Sequence, residues 1–233
     1  MIRYSFKIFC VAFSACFCCA GSLLAEDNNP HTDKMMNEKL NLTQEWDKVF
    51  PKSDKVTHRK VSFRNRYGIM LAADLYMPRN VNEKLPAIAV SGPFGAVKEQ
   101  SAGLYAQTMA ERGFLTIAFD PSYTGESGGF PRYVASPDIN TEDFCAAVDY
   151  LSTRDDVDSE RIGIIGICGW GGMAVNAAAI DTRIKATVTS TMYDMSRVNA
   201  NGYFDAMDAD ARYELRKQLN AQRTADAKSG SYA

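Results

Sequence analysis

From Val56 onward apolar and polar residues alternate. Val61 and Phe63 are spaced by polar neighbours, a turn follows around Asn65 to Gly68, and Ile69, Leu71, Ala73 and Leu75 alternate again. Residues two apart share one face of an extended strand, so this pattern predicts a β-hairpin, ended by Pro78. Further on, the alternation gives way to solid apolar blocks. Ala87 to Val90 stops at Ser91-Gly92-Pro93, and Phe114 to Phe119 ends at Asp120-Pro121; Arg161 to Gly166 and Ile184 to Thr189 are two more. Strands that are apolar at nearly every position are buried on both faces, as in a parallel sheet. Helical periodicity falls between these blocks, over Ser101 to Arg112 with Gly113 as its stop, Thr141 to Ser152 and Met173 to Ile180. Asp155 to Glu160 reads as a polar turn and PSYTGESGGFPRY as a long loop.

Strand and helix in alternation after a hairpin predict an α/β fold: a mostly parallel sheet with an N-terminal β-hairpin and helices on both faces. The expected core is 56–195. Residues 196–233 are helical and polar, clearest in YELRKQLNAQR, and read as a cap-like segment. Residues 26–55 read as a linker with one short helix near Leu40 to Phe50.

The first 25 residues have a different logic. Arg3 and Lys7 precede an apolar run from Ile8 to Ala25, followed by the polar EDNNPHTDK. That layout is expected of a secretory signal peptide, so the protein is expected to be exported to a periplasmic, secreted or envelope location. Ala20-Gly21-Ser22 suits cleavage, Phe13-Ser14-Ala15-Cys16 resembles a lipoprotein box, and an uncleaved membrane anchor is the alternative reading of the N-terminus.

Composition narrows the functional classes. The chain has 233 residues, 46% of them apolar, and a formal charge of −2. That length suits one globular core, and the charge provides no basic field for nucleic acid. Of the six cysteines, Cys10, Cys16, Cys18 and Cys19 fall in the leader, leaving Cys145 and Cys168. Two cysteines make no disulfide framework. Cys145, on the apolar side of a helix, reads as packing. No pattern calls for a metal or a cofactor, and none specifies an oligomeric state.

The candidate chemistry lies at strand ends, where parallel sheets bind ligands. Gly166-Ile167-Cys168-Gly169-Trp170-Gly171-Gly172 joins a strand to a helix. A nucleophile there needs a sharp turn, small neighbours and a following N–H to meet an oxyanion. Cys168 is thus the candidate nucleophile and the Gly169 N–H a candidate oxyanion donor; a helix start also favours a thiolate. Ser91-Gly92-Pro93-Phe94-Gly95 ends the strand before the first core helix; a second oxyanion donor there would have to be Phe94 or Gly95, because Pro93 has no N–H. Asp120 to Gly129 would rim the same pocket, with Tyr123 and Glu126, joined by Trp170, as candidate lining.

GPFG, DPSYTGESGG and GICGWGG, in this order, make the chain resemble the α/β-hydrolase superfamily, specifically its dienelactone-hydrolase-like branch. The resemblance spans about residues 56–195. It implies a hydrolase of small-molecule esters or lactones that works through an acyl-enzyme on Cys168. One departure is Trp170, which stands where the G-x-nucleophile-x-G pattern has a small residue.

Such a thiol normally works with a histidine held by a carboxylate. The chain has two histidines, His31 and His58, both ahead of Cys168 and both read as ordinary exposed residues. Asp194, just after the last strand, is the candidate acid. The resemblance implies two more strands and a histidine after these, so the sequence reads as a C-terminally truncated hydrolase with an open sheet edge and an exposed apolar face. An inactive remnant that binds without turnover is therefore the rival reading. Nucleotide binding is disfavoured, since the glycines do not follow G-x-G-x-x-G and do not lie in the first βα unit.

Overall fold

The computed structural model describes residues 39–232. Six strands form one sheet in the order β1-β2-β4-β3-β5-β6. β1 (Val56–Arg64) and β2 (Met70–Pro78) are the antiparallel hairpin, and β2 continues antiparallel onto β4 (Leu115–Phe119). β3 (Leu85–Ser91), β5 (Val157–Ile167) and β6 (Ile184–Ser190) complete a parallel run with β4. All carboxyl ends of this run lie on one side. The expected α/β architecture is what forms.

Two apolar layers sandwich the sheet. On one face α2 (Pro137–Ser152) and α3 (Gly169–Ile180) bury Phe144, Val148, Leu151 and Ala174 against Leu71, Leu75, Ile117 and Ile164. Cys145 belongs to this layer, as packing. On the other face α1 (Ser101–Ala110) sets Ala102, Ala106 and Ala110 on Ile88, Val90 and Ala118. Alanines at that spacing let the helix lie close to the strands.

Several boundaries differ from the sequence reading. α2 begins at Pro137 instead of Thr141, because Ser136 caps it by accepting from the Ile139 N–H and Pro137 fits the first helical turn. β5 begins at Val157, so much of the expected polar turn is strand, its exposed residues lying before the buried run. α3 begins at Gly169, directly after Cys168, where three glycines hid the helix start.

The reading of residues 26–55 as a linker fails for its described part. No helix forms over residues 40–50. Instead an extended arm crosses the α1 face: Phe50 is buried, and its ring packs against Gly103, where a Cβ would come within 3.0 Å of it. The Trp46 indole donates to the Phe50 carbonyl (2.9 Å), and the Gln107 side chain bridges the Ser53 N–H and the Pro51 carbonyl. Burying one such ring contributes about 1.5–3 kcal/mol, which a linker reading omits.

At the other side β6 is an edge strand among the described residues. Next to it an apolar groove of about 510 Å³ runs past Ile88, Met109, Phe114, Ile165 and Val188. α4 (Met195–Asn201) and α5 (Ala209–Ser229) follow, and neither contains a buried residue. No helix among the described residues is long and apolar enough to cross a membrane; the leader lies outside those residues.

Candidate active site

Cys168 occupies the turn between β5 and α3 with φ 56° and ψ −125°. A non-glycine residue at positive φ is strained by about 1–3 kcal/mol and must be held there. Here its N–H donates to the Ser190 carbonyl (2.9 Å), and its own carbonyl accepts from the Gly171 N–H (3.0 Å) and the Tyr193 N–H (3.3 Å). The turn closes because Gly166 is bare: a Cβ there would stand 2.7 Å from Ala174 Cβ and 2.8 Å from Gly171 Cα. The thiol is half-buried at the head of the helix, and neither Cys168 nor Cys145 is in a disulfide.

The sequence departure at Trp170 has a structural solution. Its side chain turns inward, 3% exposed, and its ring meets Phe94 edge-on with centroids 5.4 Å apart. The small residue this turn needs is Gly171, against which Met192 packs; a Cβ there would stand 2.7 Å from Met192 Cγ. Trp170 thus covers the helix start.

The loop after β3 lies beside this elbow. Gly92 has φ +96°, and any side chain on it would strike the Ile167 carbonyl and Trp170 Cβ, so glycine is required for the two strand ends to approach. Among the described residues the N–H groups of Phe94 and Gly95 donate to no protein acceptor. The Gly169 N–H, first in α3, has no acceptor within its own helix. Phe94 and Gly169 are neighbours: a Cβ on Gly169 would stand 3.4 Å from Phe94 Cδ2 and 3.0 Å from Met195 Cγ. The ring of Phe94 thus lies against the head of α3, and the N–H groups of Phe94, Gly95 and Gly169 are without a protein acceptor among the described residues, as candidate oxyanion donors must be. A cavity of about 390 Å³ opens beside them, bordered by Gly169, Phe94, Met192 and Asp194.

Asp194 thus reaches the cavity, but its carboxylate is engaged. It caps α4, accepting from the Arg197 N–H (2.9 Å) and the Ser196 hydroxyl (2.7 Å), which hold it below the usual carboxylate range. Among the described residues no imidazole stands near it. His58 lies on β1, four strands from β5 in the sheet order, a separation of roughly 19 Å at about 4.8 Å per strand. It is also not the exposed residue expected: it is half-buried, with Nε2 2.8 Å from Asp74 Oδ1 and its ring between Trp46 and Tyr76. His31 lies outside the described residues.

Tyr123 and Glu126 do not line the cavity beside the elbow. Tyr123, at φ 70°, turns its ring back over Gly129 and packs on the α2 face of the core. Glu126 joins a cluster of charges that the sequence reading missed. Lys98 Nζ is bonded to Asp120 Oδ2 (2.8 Å), Glu126 Oε2 (2.8 Å) and Glu99 Oε1 (2.6 Å). Lys60 Nζ bridges Glu126 (2.7 Å) and Glu99 (3.1 Å), and Lys48 Nζ pairs with Asp74 (2.9 Å). Asp120 also accepts from the Lys98 N–H (2.7 Å) and the Glu126 N–H (2.9 Å), tying the Phe94 loop to the loop after β4. The only sequence signal was KEQ following GPFGAV, an ammonium placed shortly after an apolar strand.

This cluster predicts an acid dependence of stability. Burial opposes ionisation of Glu126, but hydrogen bonds from Lys60, Lys98 and the Thr43 N–H override it and hold its carboxyl at about 2, below the ordinary value of about 4.3. The stability from that ionisation is complete above the unfolded-chain value and is lost as pH falls through about 2. The urea midpoint of the wild type is expected to drop more steeply than that of Glu126→Gln between about pH 5 and pH 2, the two curves converging at the acid end. Parallel curves would show that the lysines do not keep Glu126 ionised.

The comparisons with known proteins agree with this geometry. Residues 67–232 match the model of the X-Pro dipeptidyl-peptidase (S15) family. The protein PA2218 of Pseudomonas aeruginosa is 68% identical over 198 residues, covering 84% of this chain and 53% of PA2218. Its crystal structure superposes with a TM-score of 0.82, covering 84% of this chain and 61% of that one. The thiohydrolase aneE of Aspergillus aculeatus is 31% identical over 137 residues, 59% of this chain and 42% of its own. The α/β hydrolase GrgF of Penicillium, 22% identical, shares the fold with a TM-score of 0.64 over 76% of this chain and 56% of that one. The chain spans about half the length of curated relatives that it matches, 53% of one and 59% of another. With its elbow, its parallel sheet and this match, the chain is an α/β hydrolase by fold and belongs to the X-Pro dipeptidyl-peptidase (S15) family.

Proposed function

We propose that this chain contains the acyl-transfer half of a hydrolase site, taking esters, thioesters or lactones through a covalent intermediate on Cys168. The observation that supports it is the strained backbone of Cys168 at the head of α3, with the N–H groups of Gly169 and Phe94 free of protein acceptors among the described residues. In this reading the Cys168 thiolate attacks the substrate carbonyl, and the oxyanion sits between those donors. The leaving alcohol or thiol departs with a proton from solvent. Water then cleaves the acyl-cysteine thioester, releasing the acid and restoring the thiol. The thiohydrolase name of the Aspergillus relative is in keeping with thioester substrates.

A second reading, binding without turnover, is favoured by the distance of His58. A positioned general base contributes about 10²–10⁴-fold, and none stands at Cys168 among the described residues. Acylation without fast deacylation is the expected compromise.

Alkylation tests the nucleophile directly. Burial, with the nearby charges of Asp181 and Glu142, pushes the Cys145 thiol up to about 11. Iodoacetamide at pH 8 is expected to modify Cys168 at least about tenfold faster than Cys145, because Cys168 is only half-buried while Cys145 is buried and its thiol is pushed up. Equal, negligible labelling of both would end the elbow reading. We further propose that residues 1–25 direct export; deleting them should leave the protein in the cytosolic fraction of a Gram-negative host, and an unchanged distribution would refute this.

A further inference from the structure

The cavity beside the elbow has a composition that selects a substrate, and the following inference rests on the acyl-transfer reading above. Half-exposed apolar side chains ring it: Phe94 at 48%, Val175 at 46% and Met192 at 51%. Isolated exposed apolar residues need no explanation, but several around one cavity mark a ligand groove. Met173 and Met195 also form part of its wall. Both Met192 and Met195 rest on elbow glycines, Met192 on Gly171 and Met195 on Gly169, the residue directly after the candidate nucleophile. Methionine is unbranched and polarisable, and it lines sites that adapt to chains of varied shape. Among the described residues no lysine or arginine borders the cavity, and the one carboxylate there, Asp194, is engaged in capping α4. A negatively charged chain would lose its hydration and find no cation.

We propose that Met192 and Met195 are specificity-determining residues, and that the site takes esters or thioesters of uncharged, apolar acyl chains. The about 390 Å³ space lies within the usual size range of small-molecule pockets. Each buried CH₂ is worth about 0.8 kcal/mol, a three- to fourfold gain. The kcat/KM for p-nitrophenyl esters should therefore rise about threefold per added CH₂ from acetyl upward and flatten once the cavity is full.

Two measurements keep this separate from the chemistry. In the first, the ratio of octanoyl to acetyl kcat/KM is compared between the wild type, Met192→Ala and Met195→Phe. Filling the wall position in Met195→Phe should lower the ratio at least about tenfold. Met192→Ala should move the preference toward longer chains. In the second, methyl-¹³C-methionine spectra of Cys168→Ala are titrated with neutral 2-alkanones from butanone to decanone and with decanoate. The signals of Met173, Met192 and Met195 should shift, with affinity rising with ketone length and decanoate binding at least tenfold more weakly. Ketone binding at these methionines without ester turnover would sustain the pocket and refute the acyl-transfer reading. Turnover with no chain-length preference and unmoved methionine signals would overturn the pocket and leave the chemistry standing. Neither binding nor turnover would overturn both, and decanoate binding as tightly as the ketone would refute the exclusion of charge.

Discussion

Asp120→Ala is expected to lower the free energy of unfolding by about 3–5 kcal/mol, the range for breaking one side of a buried ion pair. Asp120 is fully buried at the carboxyl end of β4. Its two oxygens accept from Lys98 Nζ, the Lys98 N–H and the Glu126 N–H. Truncation leaves the Lys98 ammonium, itself 1% exposed, without its most buried counter-charge, and it leaves two backbone donors without an acceptor. Burial alone would pull the Lys98 pKa down, but the Asp120 charge, with the hydrogen bonds that Lys98 donates to Asp120, Glu126 and Glu99, pushes it up. Domains of this kind have about 5–15 kcal/mol in all, so the variant should lose about a fifth or more of its stability. Urea unfolding would show this as a lower midpoint at unchanged slope. A loss under about 1 kcal/mol would mean that Glu126 and Glu99 satisfy Lys98 by themselves. Asp120→Asn keeps the acceptor for the Lys98 N–H and should cost less, separating the lost charge from the lost hydrogen bond.

Replacement of Cys168 has the largest expected effect on chemistry. Cys168→Ala should abolish the acyl adduct seen by mass spectrometry after p-nitrophenyl acetate treatment. It should also cut thioester turnover at least about a hundredfold, since a nucleophile's removal leaves only binding and oxyanion stabilisation. The backbone should survive, because the turn is held by the carbonyls of Ser190 and Cys168 and not by the thiol. Added imidazole supplies a base of the kind that no described residue provides. It is expected to accelerate turnover by the wild type about tenfold or more and to leave Cys168→Ala unchanged. Equal turnover by the two proteins would place the reaction elsewhere.

Much of this was legible along the chain. The apolar runs at Ala87 to Val90 and Phe114 to Phe119 became β3 and β4, because a segment buried on both faces has little freedom to be anything else. The elbow was legible for a similar reason. Gly166 and Gly171 stand where any Cβ would collide, so the glycines themselves record the close approach of helix and strand. The lack of a histidine after Cys168 was equally plain in the sequence.

What stayed hidden was long-range. Lysines and carboxylates read as solvated, since they are almost never fully buried unless paired. The pairing of Lys98 with Asp120, 22 residues apart, or of Lys60 with Glu126, 66 apart, exists only once four strands are side by side. For the same reason residues 43–53 looked like a linker until Phe50 met Gly103 and Lys48 met Asp74. Tyr123 and Glu126 belong to one loop, yet the positive φ at Tyr123 sends one side chain to the α2 face while the other enters the charge cluster. Periodicity cannot assign a face where the backbone is irregular. Local pattern and local sterics were thus enough to determine the strands, the helices and the sharp turn at Cys168. Which loop residues border that thiol, which charges are buried behind it, and that His58 stands four strands away were decided only by tertiary packing, because burial and distance are properties of the assembled sheet.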